Sequence, residues 1–295
     1  MLDSPKTYRL SWSGYDLEFG RRTCIMGVVN VTPDSFSDGG NFFAPEAAVA
    51  QGQKLAAEGA DILDIGGEST RPFSDPVSAD EEIERVIPVI EKLADHLSIP
   101  ISIDTMKSAV ARRAIEAGAS MINDVSALRF DPGLGDVARE FDTPVVLMHM
   151  LGSPKTMQDS PAYHHLIGDI SDFLKEAIAR AQKKGISRSK IIVDPGIGFG
   201  KTVSHNLLII RHLQAFAALG APILIGPSRK AFIRKLLKEE PGEDLAPDLP
   251  IVETGTQAAV AAAVFGGAHI LRVHDVANTR ATIRILDAIR TAQDN

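Results

Sequence analysis

Apolar residues occur along this chain in short β-rich runs, each with polar or charged residues within or just beyond its end. The first, Cys24 to Gly40, reads CIMGVVNVTPDSFSDGG: Ile25, Val28, Val29 and Val31 suit a buried strand, whereas Pro33, Asp34, Ser35, Asp38, Gly39 and Gly40 are turn formers. The same grammar returns in ILDIGGESTRP (62–72), ISIDTMKS (101–108), INDVSA (122–127), VVLMHM (145–150), IIVDPGIGFGKT (191–202), ILIGPSRK (223–230) and ILRVHDV (270–276). Helices are expected between them at 45–58, 78–96, 107–117, 133–141, 163–184, 204–219, 228–238 and 277–292. An additional one is expected at 254–265, after the acidic, proline-rich loop KEEPGEDLAPDLP. Gly59, Gly118, Gly185, Gly220 and the pair Gly266 and Gly267 each stand between a helical stretch and a strand, the place of a helix C-cap. Alternating strands and helices of this kind predict an α/β fold, a closed parallel (β/α)8 barrel of the TIM type, with chemistry at the C-terminal strand ends. Residues 7–20, TYRLSWSGYDLEFG, alternate and turn at Ser13 and Gly14, which predicts an N-terminal β-hairpin within 1–21, covering the barrel bottom with Trp12 packed. No interdomain linker appears, so residues 1–295 read as one domain.

Composition narrows the choices. A chain of 295 residues, 44% apolar, buries a core large enough to need no staples. Its one cysteine, Cys24, lies inside the first apolar run, reads as a small core residue and has no intrachain partner, so the reducing cytoplasm is the expected compartment. The start, MLDSPKTYRL, holds no cationic segment followed by an apolar one, and no run approaches the roughly eighteen apolar residues of a membrane span, so neither export nor membrane insertion is expected. A net charge of −7 opposes a general nucleic-acid surface.

Three polar residues at strand ends, Asp104, Asn123 and Asp194, converge on one basin if the barrel closes. Asp104 also has the position of an N-cap for the helix starting near Lys107, whereas Asp194 precedes Pro195 and Gly196 with no helix immediately after it. Arg272 and His274 alternate along the last strand and so project to one side, two donors for an anion beside the N-terminal amides of the next helix. The run PGIGFGKT lacks the first P-loop glycine, since Pro195 stands there, and its Gly196, Gly198, Gly200 spacing is not GxGxxG, which disfavours nucleotide binding. Phe199 is open to a core role or to flanking a ring, and Lys201 to solvent or site. No His/Cys set has zinc spacing; His164 and His165 read as solvated and His149 as structural.

NVTPDSFSDGG, DIGGESTRP, IDT, INDV, DPGIGFGK, GPSRK and RVHD, in this order from Asn30 to Asp275, resemble the pterin-binding barrels and, within them, the dihydropteroate synthase family. The resemblance implies condensation of 6-hydroxymethyl-7,8-dihydropterin diphosphate with 4-aminobenzoate, giving 7,8-dihydropteroate and diphosphate in folate biosynthesis. It assigns Asn123 and Asp194 to the pterin edge, Asp104 to its other polar atoms, Lys230 as a donor and Phe199 to the ring face, with Gly196, Gly198 and Gly200 letting backbone pass close by. Gly226, Ser228 and Arg229 of GPSRK join the substrate-binding set, the last two near the aminobenzoate carboxylate. Thr70, Arg71 and Pro72 with Phe36 line the aminobenzoate pocket, and Asp38 with Arg71 orders the loops 31–41 and 67–77 when they close and exclude water. Arg272 and His274 hold the diphosphate, and Mg²⁺, the implied cofactor, is held by Asn30 together with diphosphate oxygens and water. The implied catalytic residues are Asn30, Asp38, Arg71, Asp104, Lys230, Arg272 and His274. Small-molecule substrates and a homodimer follow from the same resemblance, with no nucleic-acid or membrane partner. Two departures stand out: Ala231 and Arg234 where relatives carry Ser and Gly after SRK, and VETG (252–255) where they carry an Arg before the Gly. A pterin-dependent methyltransferase acting on a corrinoid protein and a non-catalytic pterin-binding homologue are the other readings open to these residues.

Overall fold

Two antiparallel strands, β1 (Tyr8–Trp12) and β2 (Tyr15–Phe19), open the fold and turn at Ser13 and Gly14, whose φ values of 43° and 83° match the two positive-φ positions of a tight hairpin. The structure, a computed structural model, describes residues 6–32, 44–69, 74–239 and 244–292. The chain continues through β3 (Cys24–Asn30), α1 (Ala44–Glu58), β4 (Ile62–Gly66), α2 (Ala79–Ala94), β5 (Ile101–Asp104), α3 (Ser108–Glu116), β6 (Met121–Asp124), α4 (Gly133–Glu140) and β7 (Val145–Met148). It ends with α5 (Leu166–Lys183), β8 (Ile191–Asp194), α6 (Val203–Arg211), β9 (Leu224–Ile225), α7 (Ala231–Leu237), α8 (Pro250–Phe265), β10 (Ile270–Val273) and α9 (Val276–Thr291).

Strands β3 to β10 form one eight-stranded parallel sheet in the order β8-β7-β6-β5-β4-β3-β10-β9. Its two edges meet through a single bridge, Val193 to Ile223, with Val193 N–H donating to the Pro222 carbonyl at 3.0 Å, so the barrel is nearly closed. The seam is thin because β9 is two residues long and lies between Pro222 and Pro227, neither of which has an amide proton to give a ladder. Five helix-to-strand glycines, Gly59, Gly118, Gly185, Gly220 and Gly267, take φ between 66° and 114°, as C-caps require.

Four expected helices have shifted bounds, each with a local cause. The 204–219 stretch divides into α6 and a 3₁₀ helix, Leu213–Leu219, because Leu213, Phe216 and Leu219 recur every three residues and bury one 3₁₀ face. Helix α5 starts at Leu166, where His165 accepts from Gly168 N–H as N-cap. Helix α7 starts at Ala231 because Arg229, at φ 59°, breaks the turn before it, and α8 starts at Pro250, a residue suited to the first helical turn. Among the described residues no helix is long and apolar enough to cross a membrane.

The two-residue period of the strands sorts the core. Ile25, Leu63, Ile103, Ile122, Val145, Val193, Ile225 and Leu271 face outward into the layer beneath the helices. Met26, Ile62, Met121, Val146, Ile192, Leu224 and Ile270 face inward as a floor, and Leu10, Trp12 and Phe19 of the hairpin close it from below. Trp12 Nε1 donates to the Ser120 carbonyl at 2.7 Å, and Cys24 is fully buried in the same cluster, both in packing roles.

Candidate active site

Two residues beyond each floor position, the alternation returns the chain to the barrel interior one layer higher. There the apolar run gives way: Asp64 follows Ile62, Asn123 follows Met121, Met148 follows Val146, Asp194 follows Ile192, Gly226 follows Leu224 and Arg272 follows Ile270. Asp104 completes the ring two residues after the inward Ser102. Five polar or charged side chains, the apolar Met148 and one bare backbone position thus meet at the C-terminal end of the barrel. Asp104, Asn123, Met148, Asp194, Phe199, Gly226, Lys230 and Arg272, with Val125 and Ile197, line a narrow basin open to solvent at this end.

Arg272 organises this basin. Its Nε donates to Asp64 Oδ2 at 2.6 Å and its Nη2 to Asp104 Oδ2 at 2.8 Å, leaving Nη1 outside both ion pairs. Asn123 Nδ2 donates to the same Asp64 oxygen at 3.0 Å, so its amide oxygen remains as an acceptor. Asp104 therefore does not cap α3. Lys107 holds that N-cap position without a side-chain bond. Asp104 Oδ1 and Asp64 Oδ1 are buried and make no hydrogen bond among the described residues, which suits a ligand rich in N–H donors. Asp64 was not among the sequence candidates, although a carboxylate between Leu63 and Ile65 two places past a floor residue is the signal that marks it.

Asp194 Oδ1 accepts from Gly196 N–H at 2.6 Å. Gly196 has φ 73°, and a Cβ there would lie 1.9 Å from the His149 carbonyl, so the turn after β8 presses against the exit of β7. The expected close passage of backbone past a ligand is thus, at Gly196, a close passage past a neighbouring loop. Gly198 instead makes room for Lys230: its absent Cβ would sit 3.0 Å from Lys230 Cδ. Lys230 Nζ lies 4.2 Å from the centre of the Phe199 ring, and Phe199 packs with Val125, Met148, Met150 and Met157 as an apolar wall.

Lys201 is neither solvated nor in the basin. It is buried, with Nζ 2.9 Å from His149 Nδ1, 2.9 Å from the Phe199 carbonyl and 3.4 Å from the His149 carbonyl, a tripod matching the three donors of an ammonium. Burial draws its pKa down to about 7, against the pull of Asp194. His149, whose pKa burial lowers to about 2, is structural as expected and stands edge-on to Phe173. Because the tripod fixes the Phe199 carbonyl, Lys201→Met is expected to loosen the wall and weaken pterin binding about tenfold, a loss calorimetry would register against an unchanged circular dichroism spectrum.

The anion side is arranged differently from the sequence expectation. Arg272 turns toward the carboxylates, while His274, just past β10, has Nδ1 3.1 Å from Ser228 Oγ, which also accepts from the His274 amide at 3.3 Å. Ser228 therefore ties the end of β9 to the end of β10. Arg229 points away to α8: its amide donates to Thr256 Oγ1 at 3.1 Å and its Nε stands 3.8 Å from Glu253 Oε2, which is how the VETG segment is partnered. At the start of α9 the Asn278 amide is taken by Asp275. Asn30, half-buried, ends β3 beside Gly66. No three His, Cys, Asp or Glu side chains gather to hold a metal among the described residues. Asn30 itself carries an amide oxygen, a donor of the type a hard cation accepts. Phe36, Asp38, Thr70, Arg71 and Pro72 lie outside the described residues.

Burial raises the pKa of Asp194 to about 6, with the Gly196 amide and Lys230 opposing it, and raises that of Asp104 against Arg272. Burial would lower the Arg272 pKa, but Asp64 and Asp104 outweigh it and hold the guanidinium charged. The raised Asp194 value has a signed consequence. Its contribution to stability is fully present below its ordinary value of 3.8 and is lost as pH rises through about 6. A ligand that donates to the ionised carboxylate reverses this, so pterin affinity is expected to fall as pH drops through about 6 while the unliganded fold gains stability. Calorimetry and denaturant melts on either side of that pH check the two directions.

Known proteins give this geometry a family. Residues 26–274 match the model of the family described as pterin binding enzyme. The chain is 44% identical over 272 residues to a dihydropteroate synthase of Synechocystis sp., covering 92% of each chain, and 43% identical over 271 residues to that of Escherichia coli strain K12, covering 92% of this chain and 93% of that one. Among solved structures, dihydropteroate synthase of Xanthomonas albilineans with 4-aminobenzoic acid is 45% identical, with a TM-score of 0.89 over 98% of this chain and 100% of that one. The same organism's protein in complex with 7,8-dihydropteroate is 43% identical, with a TM-score of 0.86 over 97% and 100%. The match to the pterin-binding model over residues 26–274, together with dihydropteroate synthases 43–45% identical over nearly the whole length and a barrel of the same fold, places the chain in the dihydropteroate synthase family of pterin-binding enzymes.

Proposed function

We propose that this chain joins 6-hydroxymethyl-7,8-dihydropterin diphosphate to 4-aminobenzoate, releasing diphosphate and forming 7,8-dihydropteroate. The observation that carries the reading is the ring above the barrel floor. Asp104, Asn123 and Asp194 present acceptors, two of them ionisable, to the donor-rich edge of a pterin, and Phe199 with Met148 supplies a flat apolar wall for its face. Lys230, above Phe199, supplies the donor for a ring carbonyl or nitrogen.

In the reaction the methylene C–O bond breaks with its electron pair going to diphosphate, the arylamine nitrogen forms the C–N bond, and the amine loses a proton. An arylamine is a weak nucleophile, so helping the leaving group depart lowers the barrier most. Arg272, through the Nη1 that its two ion pairs leave over, and His274 would offset that charge, and the carboxylates around the pterin would offset the positive charge left on its methylene carbon. Mg²⁺, when bound, would add positive charge at the diphosphate oxygens, with Asn30 as the residue that would hold it. No covalent enzyme nucleophile is required, and the one thiol, Cys24, is buried below the floor with its pKa pushed up to about 12 by burial.

The same proposal extends to a homodimer acting in the cytoplasm. Exposed Ile251 on α8 and Ile285 and Ile289 on α9 support pairing of these last helices, and a chain with one cysteine builds no internal disulfide, which suits a reducing compartment. Incubation with the pterin diphosphate, 4-aminobenzoate and Mg²⁺ tests the function. Equal release of diphosphate and dihydropteroate supports it, whereas methyl transfer to a corrinoid protein, or pterin binding without turnover, would replace it with one of the other readings.

A further inference from the structure

Two arginines hold the loop that follows β6, and one of them reaches across to the next strand. Asp124, which the alternation turns away from the basin, is fully buried and accepts from the Ser126 amide at 2.8 Å and the Leu128 amide at 2.5 Å. Ala127 and Leu128 take φ of 54° and 61° in this turn, a left-handed course that non-glycine residues enter only at a steric cost. Arg180 of α5 braces the turn, its Nε and Nη2 donating to the Ala127 carbonyl at 3.1 Å and 3.0 Å. Arg129 has a longer reach. Its Nε donates to the Ser126 carbonyl at 3.0 Å, and its Nη2 to the Met150 carbonyl at 3.0 Å and the Gly152 carbonyl at 3.4 Å, so one guanidinium spans the exits of β6 and β7.

Those two exits carry most of the apolar wall of the basin. Val125 directly precedes Ser126, and Val125, Met148, Met150, Met157 and Phe199 pack as one cluster. Methionine side chains are flexible and adapt to whatever surrounds them, so the spacing of a wall that holds three of them has to be set by the backbone. Every hydrogen bond that Arg129 makes among the described residues goes to a backbone carbonyl, and a planar guanidinium fixes the directions of its partners as a lysine cannot. The same guanidinium lies 5.0 Å from the centre of the Phe173 ring. Phe173 in turn stands edge-on to His149, a member of the Lys201 tripod that fixes the Phe199 carbonyl. We infer that Arg129 is a positioning residue for the pterin, fixing the spacing of Val125 against Met148 and Met150 and so the wall that takes the face of the ring. The inference rests on the reading above that puts a pterin in this basin.

Arg129→Met removes the link between the two exits and touches no group in the basin. Its Kd for the pterin diphosphate, read by calorimetry, is expected to rise about ten- to a hundredfold, the cost of a binding surface held out of register. The KM for 4-aminobenzoate at saturating pterin diphosphate is expected to stay within about twofold. Arg129→Lys keeps the charge but not the fork, and should retain most of the loss. Arg180→Met is the control, because Arg180 bonds the same turn without bonding the β7 exit, and it should lower the melting temperature while leaving the pterin Kd within about twofold. If Arg129→Met does not fold, Arg129→Lys carries the comparison. An unchanged pterin Kd in the folded Arg129 variant overturns the positioning role, and so does an equal loss in Arg180→Met, which would make the effect one of loop stability. If the unaltered protein does not bind the pterin diphosphate, the reading of the basin fails and the inference falls with it; if it binds and the Arg129 variants bind equally well, the inference alone fails.

Discussion

Arg272→Met is expected to destabilise the protein by about 3–5 kcal/mol at pH 8, besides abolishing turnover. The size follows from what the guanidinium neutralises. Asp64 is fully buried and Asp104 nearly so, and each already has one oxygen without a hydrogen bond among the described residues. Removing the cation between them leaves two like charges in a low-dielectric interior, with only the Asn123 amide still donating to one of them. The loss should shrink as pH falls, because protonation removes the uncompensated charge, and Asp104 already binds its proton more tightly than an exposed carboxylate does. Adding Asp104→Asn to Arg272→Met should restore part of the stability without restoring activity. Denaturant melts of the single and double variants at two pH values measure this. A melt of Arg272→Met at pH 8 within about 1 kcal/mol of the parent would show that the carboxylates do not depend on the arginine.

Asp194→Asn should lower pterin affinity about a hundredfold while leaving the unliganded protein as stable or more so. Its Oδ1 can still accept from Gly196, so the strained turn against His149 is kept. What changes is the ligand-facing oxygen, which becomes an amide nitrogen that opposes the pterin donors. Opposite signs for affinity and stability arise because a carboxylate with a pKa near 6 is kept ionised in a buried site at a cost that only the ligand offsets. Titration with a pterin and a melt of the free variant report the two effects separately, and unchanged affinity would remove Asp194 from the binding edge.

Much of the site was legible because its determinants are local. Asn123 and Asp194 end short strands, and a two-residue period states which side each faces before any fold is known. Asp64 obeyed the same rule and was passed over because it sits inside a run that reads as apolar on both sides, Ile62 to Ile65. Ser228, Arg229 and Lys201 were less legible. Each lies in a loop, where side-chain direction depends on single backbone angles such as φ 59° at Arg229 rather than on a repeating pattern.

By itself the sequence determined the eight strand–helix units, the hairpin beneath them, the glycine caps at five junctions and the layer of strand ends where polar residues meet. Those follow from backbone propensity and side-chain alternation, which act over a few neighbouring residues. Only the tertiary structure decided that Arg272 clasps Asp64 and Asp104 and that Lys201 is buried on a tripod of acceptors. Partners such as Arg272 and Asp64 are 208 positions apart. Which buried charges then pair is set by how the closed barrel brings its strands together, and no local pattern encodes that distance.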